Sequence, residues 1–431
     1  MLIHKLTSAL PKGRVGSGIA VLAGGTVGAQ IVTVCAMPIV TRLYTPAEIG
    51  VISLFIAFFS FWSVLLSWRY ESALLIAAND AESHLVFRVG VACVVLMSLL
   101  ALPLLFILTR LRAFGFGLLP SWSALVGIPI FLGYGIFMMY RAWGLRAGLV
   151  NNITKATIAR SGSNAVVRII LGLVGGGVPG LFAAEFAGAW GPAITLHHTI
   201  HKHYSTSQPL IKWQSLKAVA SRYSKFAKYE LPSTALDQFA LTIPVPMIAF
   251  LYGAQAAGWF GLARLLVALP NAQIGRAVGD VFQMELGRKV REREFVGAKQ
   301  LFYGLLRKLS LFGLIPFVAL MILAPWLVPW VFGKPWAEMG IIAACIAPWL
   351  YAAFVVSTLS QLLSVLQRQE YKFIYDLTIV ILLAIVYVSA RLMTLSLIET
   401  VILLASAYIV GYVVYLCVLL QVMSRAFKAE Y

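Results

Sequence analysis

Arg168 and Arg264 each stand inside an apolar run long enough to cross a bilayer. An Arg at the membrane centre costs roughly 2.5–3.5 kcal/mol on insertion scales, so such a residue faces protein or water. Its planar fork can bond two oxygens of one phosphate, which makes anion recognition the chemistry to expect. By residue count Arg168 lies near mid-depth and Arg264 somewhat to the outer side of the middle. Residues three and four apart share a helix face. Thr157, Arg160, Asn164 and Arg168 fall in register on one segment, and Gln30 lies with Thr26 and Thr33 on another. Asn271 follows Arg264 two turns later. We take Arg160, Asn164, Arg168, Arg264, Asn271 and Gln30 as candidate substrate contacts. A second set of polar residues is Ser53, Ser60, Ser63, Ser67 and Glu71, and a third is Glu230, Ser233, Thr234, Asp237 and Gln238. Glu71, Glu185 and Asp237 are candidates to pair with the arginines or to carry a coupling cation. Arg69 and Glu71 serve equally well as interfacial anchors. The Ser and Thr members are accounted for more simply by bonds to a carbonyl one turn back or by gluing helices together.

Other chemistries find little footing. No nucleophile, base and orienting group occur together. His197, His198, His201 and His203 include an i,i+4 pair, but they stand at a helix end beside Lys202, and we assign no metal site and no cofactor. Gly175-Gly176-Gly177 is a short turn, since no strand precedes it and no Lys-Ser/Thr follows. The four Cys lie in apolar stretches and suggest no disulfide framework.

The elements that position these residues are membrane spans. Of 431 residues, 61% are hydrophobic and 12% charged, against about 45–50% and about 25% in soluble domains. The excess of 34 Lys and Arg over 16 Asp and Glu therefore reports membrane topology and not nucleic acid. A bilayer core needs roughly 20 apolar residues per helix. Twelve candidates run at 17–40, 48–68, 86–108, 120–141, 154–174, 178–199, 230–251, 256–278, 304–325, 337–365, 373–391 and 397–421. The leader runs into the first span without a convincing cleavage site and reads as a retained helix. With the amino terminus inside, 27 Lys and Arg fall toward the cytoplasmic face, Arg160 in the first turns of its span counted among them, and 5 on the other. That bias places both termini in the cytoplasm. The third and twelfth spans are nearly all aliphatic and read as lipid-facing. Pro38, Pro244 and Pro246 are hinge candidates, because Pro frees a backbone carbonyl and bends a spanning helix.

The halves also resemble each other. Pro38, Leu43, Tyr44, Gly50 and Leu54 recur as Pro246, Leu251, Tyr252, Gly258 and Leu262, at a constant offset of 208. Each copy joins the first and second span of a six-span half. The expected organisation is a bundle over 1–205, a basic cytoplasmic linker over 206–228 and a second bundle over 229–431. Repetition after an even number of spans relates the halves by an axis along the membrane normal.

Several stretches resemble bacterial polysaccharide exporters, the O-antigen-type flippases of the multidrug/oligosaccharidyl-lipid/polysaccharide (MOP) exporter superfamily. They are Arg42-Leu-Tyr-Thr-Pro-Ala-Glu-Ile-Gly50 with Ser67-Trp-Arg69-Tyr-Glu71; Tyr229-Glu-Leu-Pro232 with Gly258-Trp-Phe-Gly-Leu-Ala-Arg264 and Gln273-Ile-Gly275; and Phe332-Gly-Lys-Pro-Trp336 with Leu366-Gln-Arg368. Ala263 before Arg264 and Met247 depart from the usual pattern. The resemblance implies an all-α integral membrane protein of the MATE-like kind. It would have about twelve helices in two six-helix bundles around a central cavity. It implies translocation of a polyprenyl-pyrophosphate-linked oligosaccharide, an O-antigen or exopolysaccharide repeat unit, to the periplasmic leaflet of a bacterial inner membrane. Arg69 and Arg264 match recurrent basic positions of the family, which adds Arg69 to the substrate contacts. Expected partners are the lipid-linked glycan, membrane lipids and a glycan polymerase or other assembly protein. The expected cycle is alternating access, with H+ or Na+ as the coupling cation. Two other readings stay open. A multidrug or small-solute cation antiporter of the same superfamily should have an acidic or aromatic cavity, and a glycan polymerase or ligase should carry a large external loop.

Overall fold

The computed structural model describes residues 14–204, 213–268, 275–368 and 370–426, and the regular structure among them is helical throughout. Contacts divide the chain into two compact units that part in sequence between Gly258 and Trp259. The first holds α1 (Arg14–Leu43), α2 (Pro46–Leu65), α3 (Tyr70–Leu75), α4 (Asp80–Arg110), α5 (Ser123–Arg146), α6 (Val150–Leu173), α7 (Gly177–Tyr204), α8 (Trp213–Arg222), α9 (Leu231–Thr242) and the start of α10 (Pro244–Val267). The second holds the rest of α10, α11 (Arg276–Arg291), α12 (Phe295–Phe332), α13 (Ala337–Leu359), α14 (Gln361–Val365), α15 (Glu370–Leu392) and α16 (Leu397–Ala426).

Local sequence explains where the helices start and stop. Thr45 caps α2 through the amide of Glu48, whose carboxylate returns to the Thr45 amide, and Pro46 occupies the first turn. Such a capping box satisfies two donors that the helix cannot. Asn79 caps α4 by accepting from the Glu82 amide, and the Glu82 carboxylate accepts from the Ala78 amide. Trp68 and Arg69 have positive φ and break the chain between α2 and α3. Gly175 and Gly177, also at positive φ, make the turn between α6 and α7.

Nine segments among the described residues are long and apolar enough to cross a membrane. The twelve expected spans are related to these in a simple way. Helices α6 and α7 have the length, but charged and small residues dilute their hydropathy. The expected seventh and eighth spans share one apolar run, Phe226–Val267, which leaves helical geometry at Gly253. The exposed surface is apolar where lipid is expected. Helix α4 displays Val95, Leu96, Leu99 and Leu100, and α12 displays Leu311, Phe312, Ile315 and Ile322.

Within the first unit, connections that the charge count assigns to opposite faces gather at opposite helix ends. Gly177 lies against Glu48, and Gly115 against Phe250. At the other ends Arg146 donates to the Ala77 carbonyl at 2.7 Å, Tyr70 to the Ala220 carbonyl at 3.1 Å and Arg222 to Glu82 at 2.8 Å. Those last two bonds, with one from Arg69 to Glu230, are why α8 and α9 pack with the first unit although the linker precedes them.

The repeated motif meets its own copy. An ideal Cβ on Gly50 would lie 1.7 Å from the Ala254 carbonyl oxygen, and one on Gly258 would lie 1.9 Å from the Pro46 carbonyl oxygen. Residues 46 and 254, like 50 and 258, are equivalents at the 208-residue offset. Only glycine lets these two backbones approach so closely. Gly50→Ala must push the helices apart, and we expect a loss of about 1–3 kcal/mol, the usual cost of overpacking. Gly162→Ala enters open space and should be neutral or slightly stabilising. Thermal melts of both variants in detergent check this, and equal melting temperatures would remove the close-crossing account.

Candidate functional site

The arginines inside the spans fall into two kinds. On α6, Arg160, Asn164 and Arg168 share one face, as their spacing predicts, and α7 packs along it. Arg168 donates to Glu185 Oε1 at 2.5 Å, and Asn164 Nδ2 donates to the same oxygen at 3.1 Å and to the Ala184 carbonyl at 3.2 Å. Gly188 sits against Asn164, and Gly191 against Ser163, so small residues on α7 let the polar face close. Arg168 and Glu185 are 20% and 15% exposed at their side chains. Arg168 Nε is buried with no protein acceptor. Arg160 stands near the helix middle, and Arg168 five residues before its end at Leu173, about 8 Å along the axis. The Tyr44 hydroxyl donates to the Arg168 carbonyl at 2.9 Å and pins that end. Burial pushes the Tyr44 phenol above its ordinary value, partly offset by the Arg168 guanidinium, so it stays protonated as a donor.

Arg69 is likewise held by carboxylates. It donates to Glu71 at 3.0 Å and through two nitrogens to Glu230, while Ser67 donates to Glu71. Its left-handed backbone aims the guanidinium across the break between α2 and α3. The interfacial-anchor role describes this geometry.

Arg160 and Arg264 have no carboxylate within ion-pair distance among the described residues. The Arg160 guanidinium lies 4.5 Å from the centre of the Tyr134 ring. Arg264, half-buried, interacts electrostatically with the phenols of Tyr408 and Tyr412. These belong to an aromatic cluster. Tyr408 stacks on Trp349 at 4.0 Å, and Tyr375 stacks on Tyr415 at 4.3 Å and touches Tyr412. Beside Tyr375, Asp376 is 2% exposed and bound by Lys372 at 3.0 Å.

This cluster corrects the reading of the twelfth span as lipid-facing. Tyr408, Tyr412 and Tyr415, at spacings of four and three, are buried on one face of α16, while Ile402, Val410 and Val413 are exposed on another. The tyrosine stripe was visible in the sequence at helical spacing. Asp376 was visible as an acid inside the eleventh span.

The remaining candidates are placed as follows. Gln30 is half-buried on α1, which packs on α6 through Gly25 and Thr154. Thr26 and Thr33 bond carbonyls one turn back, as do Thr157 and Thr234. Asp237 is half-buried on α9. Asn271 lies outside the described residues. Pro38 is inside α1, and Pro244 begins α10 after the end of α9 at Thr242, with Pro246 two residues on. His197 meets the Tyr140 hydroxyl at 2.6 Å. No group of three His, Cys, Asp or Glu among the described residues is arranged to hold a metal.

Comparison with solved structures defines the class. A multidrug resistance MATE family transporter of the MOP superfamily, in an inward-facing conformation, aligns at a TM-score of 0.73 and 16% identity, covering 93% of this chain and 96% of that one. A MOP superfamily transporter from Pyrococcus furiosus aligns at 0.59 and 14%, covering 98% and 99%. The Vibrio cholerae MATE transporter VcmN aligns at 0.56 and 14%, covering 99% of each. The fold is that of MATE-like transporters. Curated proteins give no match. The profile of the family described as polysaccharide biosynthesis protein matches residues 39–343, and the chain belongs to that family. The chain thus joins membership of a polysaccharide biosynthesis family to the fold of MATE-like transporters and the apolar helices of a membrane protein.

Removing Arg168 alone leaves Glu185 half-desolvated without its cation. We expect Arg168→Gln to lose on the order of 3 kcal/mol, as when one partner of a buried pair is removed. Arg168→Gln with Glu185→Gln should regain most of it. Melting temperatures of the single and double variants measure this, and a double variant no better than the single would show that the pair is not what Arg168 contributes.

Proposed function

We propose that this chain moves a polyprenyl-pyrophosphate-linked oligosaccharide from the cytoplasmic to the periplasmic leaflet of a bacterial inner membrane, with both termini in the cytoplasm. The observation that carries the reading is the pair of cations without a carboxylate in ion-pair distance among the described residues, Arg160 against the Tyr134 ring and Arg264 near the Tyr408 and Tyr412 phenols. A chain pays for such charges only where they meet an anion. Membership of a polysaccharide biosynthesis family supports the same cargo class.

The physical task matches these residues. Each sugar hydroxyl buried unpaired costs roughly 2–7 kcal/mol in apolar surroundings, so the head group needs a polar path while the polyprenyl tail stays in lipid. Guanidinium groups suit the pyrophosphate, and aromatic rings and phenols suit sugar faces and hydroxyls. With the cell interior negative, outward movement of the anion is favoured by about 2.3 kcal/mol per charge per 100 mV. In this reading the two halves alternate access, hinging at Pro38, Pro244 and Pro246, and H+ or Na+ returns through Asp237. Glu71 and Glu185 then serve mainly as partners of Arg69 and Arg168.

Transport of cationic drugs is disfavoured, because Glu71, Glu185 and Glu230 are engaged by arginine, whereas Arg160 and Arg264 have no carboxylate within ion-pair distance among the described residues. Deleting the protein should leave lipid-linked glycan in the cytoplasmic leaflet. Complementation with Arg264→Gln or Arg160→Gln should lower export at least tenfold at normal membrane abundance, and Arg264→Lys should recover part of it. Undiminished glycan export by both Gln variants would sink the anion-path assignment. Efflux of a cationic dye by vesicles holding the protein would point to the antiporter.

A further inference from the structure

The segment between the sixth and seventh expected spans carries an exposed ridge unconnected with the arginine sites. Trp213, Lys217, Ser221, Lys225 and Tyr229 recur every fourth residue, and all five are exposed, as is Lys228. Trp213 is 68% and Tyr229 75% exposed, whereas Val219 and Tyr223 on the opposite side are 7% and 8% exposed. Helix α8 and the π-helical turn Phe226–Glu230 therefore present one fixed side outward.

The rotation is locked from beneath. Arg222 binds Glu82 at 2.8 Å, Tyr70 donates to the Ala220 carbonyl, and Glu230 is gripped by Arg69. The Tyr223 phenol bonds Glu82, and burial and that carboxylate push it above its ordinary value. Glu82 and Glu230 are thus each held by an arginine. Lys217, Lys225 and Lys228 have no carboxylate within ion-pair distance among the described residues. Lys217 lies over the Trp213 ring at 5.5 Å, which leaves its charge directed outward.

We propose that this ridge seats on anionic phospholipid head groups at the membrane surface. Trp and Tyr at its two ends are the residues that settle at the head-group level, and lysines between them suit lipid phosphates. Its location fits. The ridge is tied to the first turn of α4 through Glu82, and the middle of that helix displays Val95, Leu96, Leu99 and Leu100. The ridge stands at the end of a lipid-facing helix, where the apolar belt gives way to water. Each lysine near an anionic leaflet strengthens binding about fivefold.

Native mass spectrometry of the full-length protein, delipidated and titrated with phosphatidylglycerol or phosphatidylcholine, tests the assignment. The wild type should retain phosphatidylglycerol at least tenfold better. Lys217→Ser/Lys225→Ser/Lys228→Ser should reduce that ratio at least fivefold, and the triple Lys→Arg variant should restore it. Trp213→Ala/Tyr229→Ala should weaken retention of both lipids. An unchanged ratio in the triple Ser variant, with Arg307→Ser/Lys308→Ser as the control for net charge, would overturn the proposal. Displacement of the bound lipid by millimolar inorganic phosphate would also overturn it, since it would mark a site for free anions and not a bilayer contact.

Discussion

A charge inside a bilayer must be answered, and much of this structure is arranged around how each arginine is answered. Arg69 and Arg168 are met by carboxylates, and each pair joins segments distant in sequence: the break after α2 to the start of α9, and α6 to α7. Arg160 is met by the ring of Tyr134, and Arg264 lies near the phenols of Tyr408 and Tyr412. A ring offers a cation its π face without cancelling the charge. The first pair of residues therefore acts as internal fastening, whereas the charge of Arg160 is not cancelled by its neighbour. Helix α6 supplies one of each kind, so the fastening of Arg168 to Glu185 also holds the backbone that carries Arg160.

The charge pattern, the span count and the α6 stripe were readable because each depends on a repeat or a bias that survives averaging. The 208-residue offset was readable for the same reason. Connections assigned to one face by Lys and Arg counts do cluster at one set of helix ends, as Arg146 with Ala77 and Arg222 with Glu82 illustrate.

What escaped was set by composition masking geometry. The twelfth span is so rich in Val, Leu and Ile that its average hides Tyr408, Tyr412 and Tyr415 on one face. Asp376 was passed over because a single acid near a helix end resembles an interfacial residue until its neighbours bury it. Pairing was also invisible. Glu185 and Glu230 are separated from their arginines by 17 and 161 positions, and no local pattern announces such partners.

The crossing of Pro46–Gly50 with Ala254–Gly258 has a consequence of its own. Glycine of one copy faces the carbonyl four residues before the equivalent glycine of the other, and the reverse holds across the same joint. This reciprocity is the signature of a two-fold, isologous contact between identical subunits, written here within one polypeptide. A single short phrase of sequence, used twice, suffices to make a self-complementary seam. Two separate half-length chains bearing that phrase would already hold the instructions for dimerising.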